Sequence, residues 1–529
     1  MKVVIAEKIS PAALDVFRAE SRWKLVTPEE ITDLAAEVVN ADALIVRSAV
    51  DVDARLLEAA KKLRVIGRAG VGVDNIDLDA ATRRGIAVMN TPGANAVAVA
   101  EHTLGLMLAL ARHLARADAL TRAGKWEKKS LQGTELRGKT LGIVGLGRVG
   151  MEVARRARAF GMPLLAHDPF ISTAVARELG VELESLDDVF AAADYLTLHV
   201  GLTPQTAGMI SAEAIARMKK GVRLINCARG ELIDEAALAA ALQSGQVAGA
   251  ALDVFAEEPP RHSPLLGLEN VVVTPHIAGS TREAQEAVGY QIALQVKEYL
   301  KRGVIQNAVN VPSVSHEEYV EMQPYIVLGE RLGAFLAQVA DGNLEEISLR
   351  YSGVLAEWKT DLIRNAAIKG ILNQMLAEKA NLVNAASLAA ERGIQLHESK
   401  KQKTPGGGAG SVLSVLLKTS AGERLVKGAV LHGNRPRLLA VDEIDIEAPL
   451  EGHLIYLRNR DVPGVIGRVG TILGQHGINI ADFSLGRRER DGKSSQAIAV
   501  VHVDDPVPPL VLEELRTIEA VTAARAIKV

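Results

Sequence analysis

The 529-residue chain has a single cysteine, only 3% aromatic residues and a net charge of −3. One thiol, Cys227, excludes an intramolecular disulfide framework and fits a reducing compartment. So small a net charge gives no electrostatic footprint for nucleic acid or for an anionic membrane surface, and any anion has to be captured by local arginines. No stretch reaches the ~20 apolar residues of a membrane span, and Glu7 and Lys8 interrupt the N-terminal MKVVIAEKIS before an apolar signal core forms. The expectation is a cytoplasmic protein with neither nucleic acid nor membrane as partner, and no metal site. What is present, 48% hydrophobic and 24% charged residues, describes an Ala- and Val-rich globular chain. Its length, at ~150 residues per domain, predicts three or four domains.

The most informative stretch is LGIVGLGRVG, from Leu141 to Gly150. A short apolar strand runs into Gly145-x-Gly147-x-x-Gly150 and then into a helix of apolar spacing over Val149 to Phe160. In a dinucleotide cradle the first glycine permits the tight turn, the second lets backbone amides approach a pyrophosphate, and the third lets helix and strand pack closely. A glycine triplet alone also suits ordinary turns. Here a second apolar run, Pro163 to His167, ends at Asp168, about 20 residues beyond the glycines, where an acid accepts hydrogen bonds from ribose hydroxyls and repels a 2′-phosphate. That position favours NAD over NADP; the alternative is a turn aspartate before Pro169.

Upstream, Val3 to Ala6, Ala43 to Val46, Val65 to Gly67 and Ala87 to Met89 are strand candidates of a parallel sheet with crossover helices. Two of them end in arginine, at Arg47-Ser48 and at Arg68-Ala69-Gly70. Ligands collect beyond the carboxyl ends of such strands, so Arg47 and Arg68 either converge on an anion, assisted by amides around Ala69 to Gly72, or are two solvated surface arginines. A single helix is expected over Val97 to Ala117, crossing between domains; Glu101 and His102 on it are either functional or, as polar residues near a junction more often are, there to satisfy backbone groups. Beyond the glycine loop, strands at Tyr195 to Val200, Val222 to Asn226, Gly249 to Val254 and Val271 to Thr274 complete a doubly wound sheet. A helix over Thr281 to Leu300 is expected to return to the first sheet.

Three segments each deliver a reactive side chain just past a strand: Asn226-Cys227-Ala228-Arg229, Asp253-Val254-Phe255-Ala256-Glu257-Glu258-Pro259 and Thr274-Pro275-His276. A guanidinium binds a carboxylate bidentately and polarises an adjacent carbonyl. An imidazole takes a hydroxyl proton at neutral pH, and a neighbouring carboxylate fixes its tautomer. Arg229, His276 and Glu258 suit hydride transfer from a 2-hydroxy acid to NAD⁺. Taken singly they also read as a surface Arg, a strand-end His and a loop Glu.

The set RSAV, GRAGVGVDNID, NTPGAN, GLGRVG, INCARGE, ALDVFAEEPP and TPHIAGST resembles the D-isomer-specific 2-hydroxyacid dehydrogenases over residues 1 to about 310, and most of all their phosphoglycerate-oxidising branch. The resemblance implies that Arg229, Glu258 and His276 are catalytic. It places Gly145, Gly147, Arg148, Val149, Gly150, Asp168, Cys227 and Asp253 at cofactor-binding positions for NAD, Asp253 holding the nicotinamide amide. It makes Arg47, Ser48, Arg68 and Gly70 the substrate-binding set for 3-phosphoglycerate. Other readings of the same fold are a hydroxypyruvate or glyoxylate reductase, or an NAD-sensing binding protein. His199-Val200-Gly201 and Val71 depart from commoner forms of the family.

More than 200 residues follow. From His453 the order strand, helix, strand, strand, helix, strand is the ferredoxin-like βαββαβ unit. Asn459-Arg460-Asp461-Val462-Pro463-Gly464, with His476-Gly477-Ile478-Asn479-Ile480, resembles an ACT domain, a family that commonly binds amino acids between two copies. The resemblance implies effector binding by Asp461 and Asn479, with L-serine as the effector; the alternative for Asp461 is to cap the helix that begins near Pro463. Residues 313–450 mix helices with strands at Glu346 to Tyr351, Val412 to Lys418 and Arg424 to Leu431, and resemble an intervening domain, with Lys400 to Gly410 as a surface loop. The expected architecture is α/β throughout: a Rossmann-type NAD domain (97–282) inserted in a flavodoxin-like substrate domain (1–96 and 283–310), an intervening α/β domain (313–450) and an ACT domain (453–529). The resemblance also implies a homodimer or homotetramer.

Overall fold

The computed structural model describes residues 1–312, 316–376, 380–402, 410–431, 433–490 and 493–529. Four sheets organise them. The first contains β1 (Lys2–Ile5), β2 (Lys24–Val26), β3 (Ala43–Val46), β4 (Val65–Arg68) and β5 (Ala87–Met89), all parallel in the order β2-β1-β3-β4-β5. Its strands are short apolar runs because helices cover both faces. Val4, Leu44, Ile66 and Val88 pack on one side with Val38, Leu57 and Ala81. On the other side Val3, Ile5 and Ile45 meet Val288, Ile292 and Val296 from the helix Arg282–Arg302, so the chain returns to this sheet after a long excursion. Gly67 sets the spacing, since a Cβ there would lie 2.7–2.9 Å from Ile45, Val296 and Ile292.

The excursion forms β6 (Leu141–Val144), β7 (Leu164–His167), β8 (Glu182–Leu183), β9 (Tyr195–Leu198), β10 (Val222–Asn226), β11 (Val247–Leu252) and β12 (Val271–Val273). They pair in parallel in the order β12-β11-β10-β9-β6-β7-β8. The strand order reverses between β6 and β9, the point at which open α/β sheets hold nucleotides. The helix expected over Val97 to Ala117 is in fact two, Ala96–Ala111 and Leu114–Arg122. The apolar period runs through the break, but His113 takes φ +52° and turns the chain out of the helix.

The third sheet comprises β13 (Leu344–Ser352), β14 (Gln395–Lys401), β15 (Val412–Thr419), β16 (Gly422–Leu431), β17 (Arg435–Val441) and β18 (Ile444–Pro449), in the order β14-β13-β15-β16-β17-β18. Helices His316–Val339 and Asp361–Met375 approach each other through small residues: a Cβ at Gly333 would lie 2.2 Å from the Ala367 carbonyl oxygen. The surface loop expected over Lys400 to Gly410 needs correcting at its start, because Lys400 and Lys401 pair as the end of edge strand β14; residues 403–409 lie outside the described residues. Exposed lysines on an edge strand discourage pairing with another chain.

The fourth sheet is β19 (His453–Arg460), β20 (Ile480–Arg490), β21 (Lys493–Val503) and β22 (Val521–Lys528), antiparallel in the order β20-β21-β19-β22. Helices Val465–Gln475 and Pro509–Arg516 cover one face, where Ile455, Leu457 and Val501 pack with Val469, Leu473 and Val511. The other face sends Leu454, Tyr456 and Val500 into the same core as Leu332 and Phe335, and Tyr456 meets Phe335 edge-on at 5.9 Å between ring centres. Arg424 joins the units: its Nε donates to Asp442 and its Nη1 to the Val339 carbonyl at 2.8 Å on the third sheet's side, and its Nη2 donates to the Tyr456 hydroxyl of β19 at 3.4 Å. Among the described residues no helix is long and apolar enough to cross a membrane.

Candidate active site

The loops beyond the strands of the first two sheets enclose a cleft of about 650 Å³, lined by Arg47, Ser48, Arg68, Gly70, Arg229, Glu258 and His276 among others. Each is presented by a specific backbone device. Beyond β10, Asn226 accepts from the Ala228 amide at 3.0 Å and donates to the Arg229 carbonyl at 2.7 Å, folding the turn so that Arg229 projects. Arg229 then donates from Nη1 to the Ala228 carbonyl at 2.7 Å and from Nε to Asp74 at 3.0 Å.

Beyond β11, Asp253 is fully buried. Its carboxylate accepts from the Thr274 hydroxyl at 2.5 Å and from the amides of Ile277 and Ala278 at 2.9 and 2.8 Å, with His102 Nε2 at 3.4 Å. Burial opposes its charge, but His102, Thr274 and the two amides outweigh that and hold the carboxyl below its ordinary range. His102, expected as a junction residue, is therefore part of the support for residues 274–278. His276 sits in that segment at φ +52°, a region sparsely used by residues other than glycine, with its amide on the Asp253 carbonyl at 2.8 Å. Its Nδ1 meets Glu258 at 2.7 Å, and Glu258 accepts from the Phe255 amide at 3.2 Å. Nε2 is left without a protein partner among the described residues and is the ring nitrogen available to a ligand.

Cys227 borders the cleft but is buried, which pushes its thiol up to about 12. A thiolate is the reactive form, so iodoacetamide at neutral pH is expected to leave the folded protein unmodified and to label one thiol after denaturation. Rapid labelling of the folded protein would contradict this burial.

Arg47 follows β3 in a loop that Glu7 organises, accepting from the amides of Arg47, Ala49 and Val50 at 2.7, 3.2 and 3.1 Å. Asn75 braces the same loop by donating to the carbonyls of Arg47 and Val50 at 2.9 and 2.6 Å. Arg68 is largely desolvated: among the described residues its buried Nε has no partner, and Nη1 reaches only the Ala69 carbonyl at 3.5 Å. Burial, then the nearby Arg229, pulls its pKa below the usual guanidinium value. Glycines make room for both guanidiniums, because a Cβ at Gly70 would overlap Arg68 and one at Gly72 would overlap Arg229. An underpaired, buried cation beside an open cleft is costly unless an anion completes it.

The glycine loop beyond β6 is not part of that cleft's lining; there Gly145 has φ +92° and abuts the His199 carbonyl, while a Cβ at Gly150 would lie 2.2 Å from the Gly145 carbonyl oxygen. Gly147 caps the helix Arg148–Ala159 and faces open space, so a pyrophosphate has free approach to the amides of the first helical turn around Arg148 and Val149. These residues fit a dinucleotide. Asp168 spends one oxygen on the Leu146 amide and the other on the Phe170 amide, both at 2.8 Å, tying β7 to the glycine loop while keeping further lone pairs for a ligand. Arg148 donates to the Pro92 carbonyl, linking the start of that helix to the turn after β5.

In the fourth sheet Asp461, Asn459, Phe483 and Arg487 border a separate cavity of about 420 Å³. Asp461 does not cap the following helix, whose N-cap is Gly464 without a side-chain bond; it lies 3.6 Å from Arg487. Asn479 lies past the other end of that helix and donates to Asp504 at 2.6 Å, so one chain does not bring Asp461 and Asn479 together.

Three family descriptions match the chain in order: the D-isomer specific 2-hydroxyacid dehydrogenase NAD binding domain over residues 104–278, the D-3-phosphoglycerate dehydrogenase intervening domain over 321–442, and the ACT domain over 453–520. The chain is 43% identical over 519 residues to D-3-phosphoglycerate dehydrogenase of Methanocaldococcus jannaschii, covering 98% of each chain. It is 43% identical over 526 residues to that of Archaeoglobus fulgidus, covering 99% of each. Among solved structures, the TT0316 protein from Thermus thermophilus superposes with a TM-score of 0.53 at 37% identity, covering 58% of this chain and 100% of that one. NAD is thus the cofactor of the cleft, and the chain, an NAD-dependent oxidoreductase, belongs to the D-3-phosphoglycerate dehydrogenase family.

Proposed function

We propose that the chain oxidises 3-phospho-D-glycerate to 3-phosphooxypyruvate with NAD⁺, the entry step of L-serine biosynthesis, in the cytoplasm. The observation that carries this reading is the convergence of three arginines with the His276–Glu258 pair on one cleft. Arg47 and Arg68, with Ser48 and the Gly70 backbone, bind the phosphate, and Arg229 grips the carboxylate. His276 Nε2 takes the 2-hydroxyl proton as the C2 hydride departs, and Glu258 stabilises the imidazolium through Nδ1–H. Bound NAD⁺ supplies the hydride acceptor. Gly145, Gly147, Arg148, Val149 and Gly150 receive its pyrophosphate and Asp168 a ribose, while Cys227 and Asp253 lie at the nicotinamide end. The division of labour follows the units 1–96 with 283–310, 97–282, 313–450 and 453–529. Purified protein should turn over 3-phosphoglycerate with NAD⁺ in preference to glycerate; ready reduction of glyoxylate or hydroxypyruvate without phosphoglycerate turnover would instead make it a reductase of the same fold.

The fourth sheet's cavity we assign to L-serine, with Asp461 facing the amine and Asn479 contributed by a second copy in a homodimer or homotetramer. Asp461→Ala should abolish inhibition at serine concentrations that halve the wild-type rate, measured in the same assay; undiminished inhibition would contradict the assignment.

A further inference from the structure

We propose that Asp74 is a positioning residue for the substrate's carboxylate, acting through Arg229; this rests on the reading of Arg229 given above. Asp74 stands on the loop beyond β4, whereas Arg229 stands beyond β10, so their contact joins the loops of the two parallel sheets across the mouth of the cleft. Among the described residues it is the one ion pair that does so. The Asp74 carboxylate is exposed, with 61% of its side-chain surface accessible, while Arg229 retains 26%. An exposed pair contributes little to stability, which leaves orientation as its consequence.

The geometry defines that orientation. Asp74 takes Nε at 3.0 Å and the Ala228 carbonyl takes one Nη1 proton at 2.7 Å. The guanidinium lies over Gly72, where a Cβ would stand 1.9 Å from Nη2. With the Nε edge held, a carboxylate is received end-on, by the remaining proton of Nη1 and by Nη2, as a bidentate pair. Without Asp74 the one tie left on the guanidinium among the described residues is the neighbouring carbonyl, and the long side chain has to be ordered by the substrate itself.

The test is steady-state kinetics of full-length Asp74→Ala and Asp74→Asn, with oxalate as a carboxylate-only inhibitor and inorganic phosphate as a probe of the Arg47 and Arg68 side. Asp74→Ala is expected to raise KM for the hydroxy acid and Ki for oxalate by roughly 10-fold or more. KM for NAD⁺ and Ki for phosphate should stay within about twofold. Asp74→Asn, which keeps an acceptor for Nε, should recover most of the loss. An unchanged oxalate Ki, or equal losses for NAD⁺ and phosphate, overturns the proposal. Should the alanine variant not fold, Asp74→Asn combined with Arg229→Lys decides: lysine has no Nε edge, so the aspartate substitution should have no further effect on oxalate in that background, and an additive loss overturns the idea. A wild-type protein that oxidises no 2-hydroxy acid would sink the functional reading itself, whereas normal wild-type turnover with indifferent Asp74 variants sinks only this inference.

Discussion

Replacing His276 by asparagine should lower kcat by about 10²- to 10⁴-fold, the usual contribution of a positioned general base, while binding of NAD⁺ stays within about twofold. Asparagine is preferable to alanine because residue 276 lies at φ +52°, and asparagine enters that region more readily than other side chains. The loss follows from the bonding pattern: Nδ1 is committed to Glu258 at 2.7 Å, so proton transfer falls to Nε2 alone. Glu258→Gln should lose less, since the amide still accepts from the ring while no longer stabilising its charged form. Binding of NAD⁺ by protein fluorescence separates the two readouts; a variant with wild-type kcat would remove His276 from the mechanism.

The second large effect is expected at Arg68. Two charge-assisted hydrogen bonds of about 1.5–3 kcal/mol each make Arg68→Met cost about 10²-fold or more in kcat/KM for 3-phosphoglycerate, with much less change for glycerate, which has no phosphate to lose. Stability should move the other way. Arg68 buries an Nε with no partner and feels the charge of Arg229, and an apolar chain of similar length removes both burdens. Thermal unfolding without substrate should therefore show an unchanged or raised Tm. A lowered Tm with unaltered preference for the phosphorylated substrate would contradict the assignment on both counts.

The parts of this molecule legible in its sequence are those with a backbone or chemical cause confined to a short stretch. Gly145 needs its positive φ and Gly150 its absent Cβ, and both leave a fixed spacing that can be read directly. Arg47 and Arg68 were visible as arginines closing apolar strands, though only the cleft shows that they share it. The supporting residues were not legible. Glu7 holds amides 40 positions away, His102 reaches Thr274, and Asp74 meets Arg229; each acts through chain segments that no local pattern connects. The break at His113 was hidden because the apolar period continues through it. Edge strand β14 was hidden because its residues, QLHESKK, are mostly exposed and charged or polar, and pairing along one side only leaves no alternation to read.

The return of helix Arg282–Arg302 to the first sheet also governs how the protein is made. A nascent chain that has cleared the ribosome only as far as the helix Ala96–Ala111 carries all five strands of that sheet. It lacks Ile292 and Val296, which close the face bearing Ile5, Ile45 and Gly67. Residues 97–281 are translated first, which at ~5–20 residues per second leaves that apolar face covered only by Ala13 and Phe17 of the helix Pro11–Arg18 for roughly 10–40 s. During that interval the inserted unit can complete its own sheet, so the order of maturation is inner unit before outer. Holding the N-terminal 96 residues out of aggregation until the helix that completes their sheet emerges is the natural task of a chaperone.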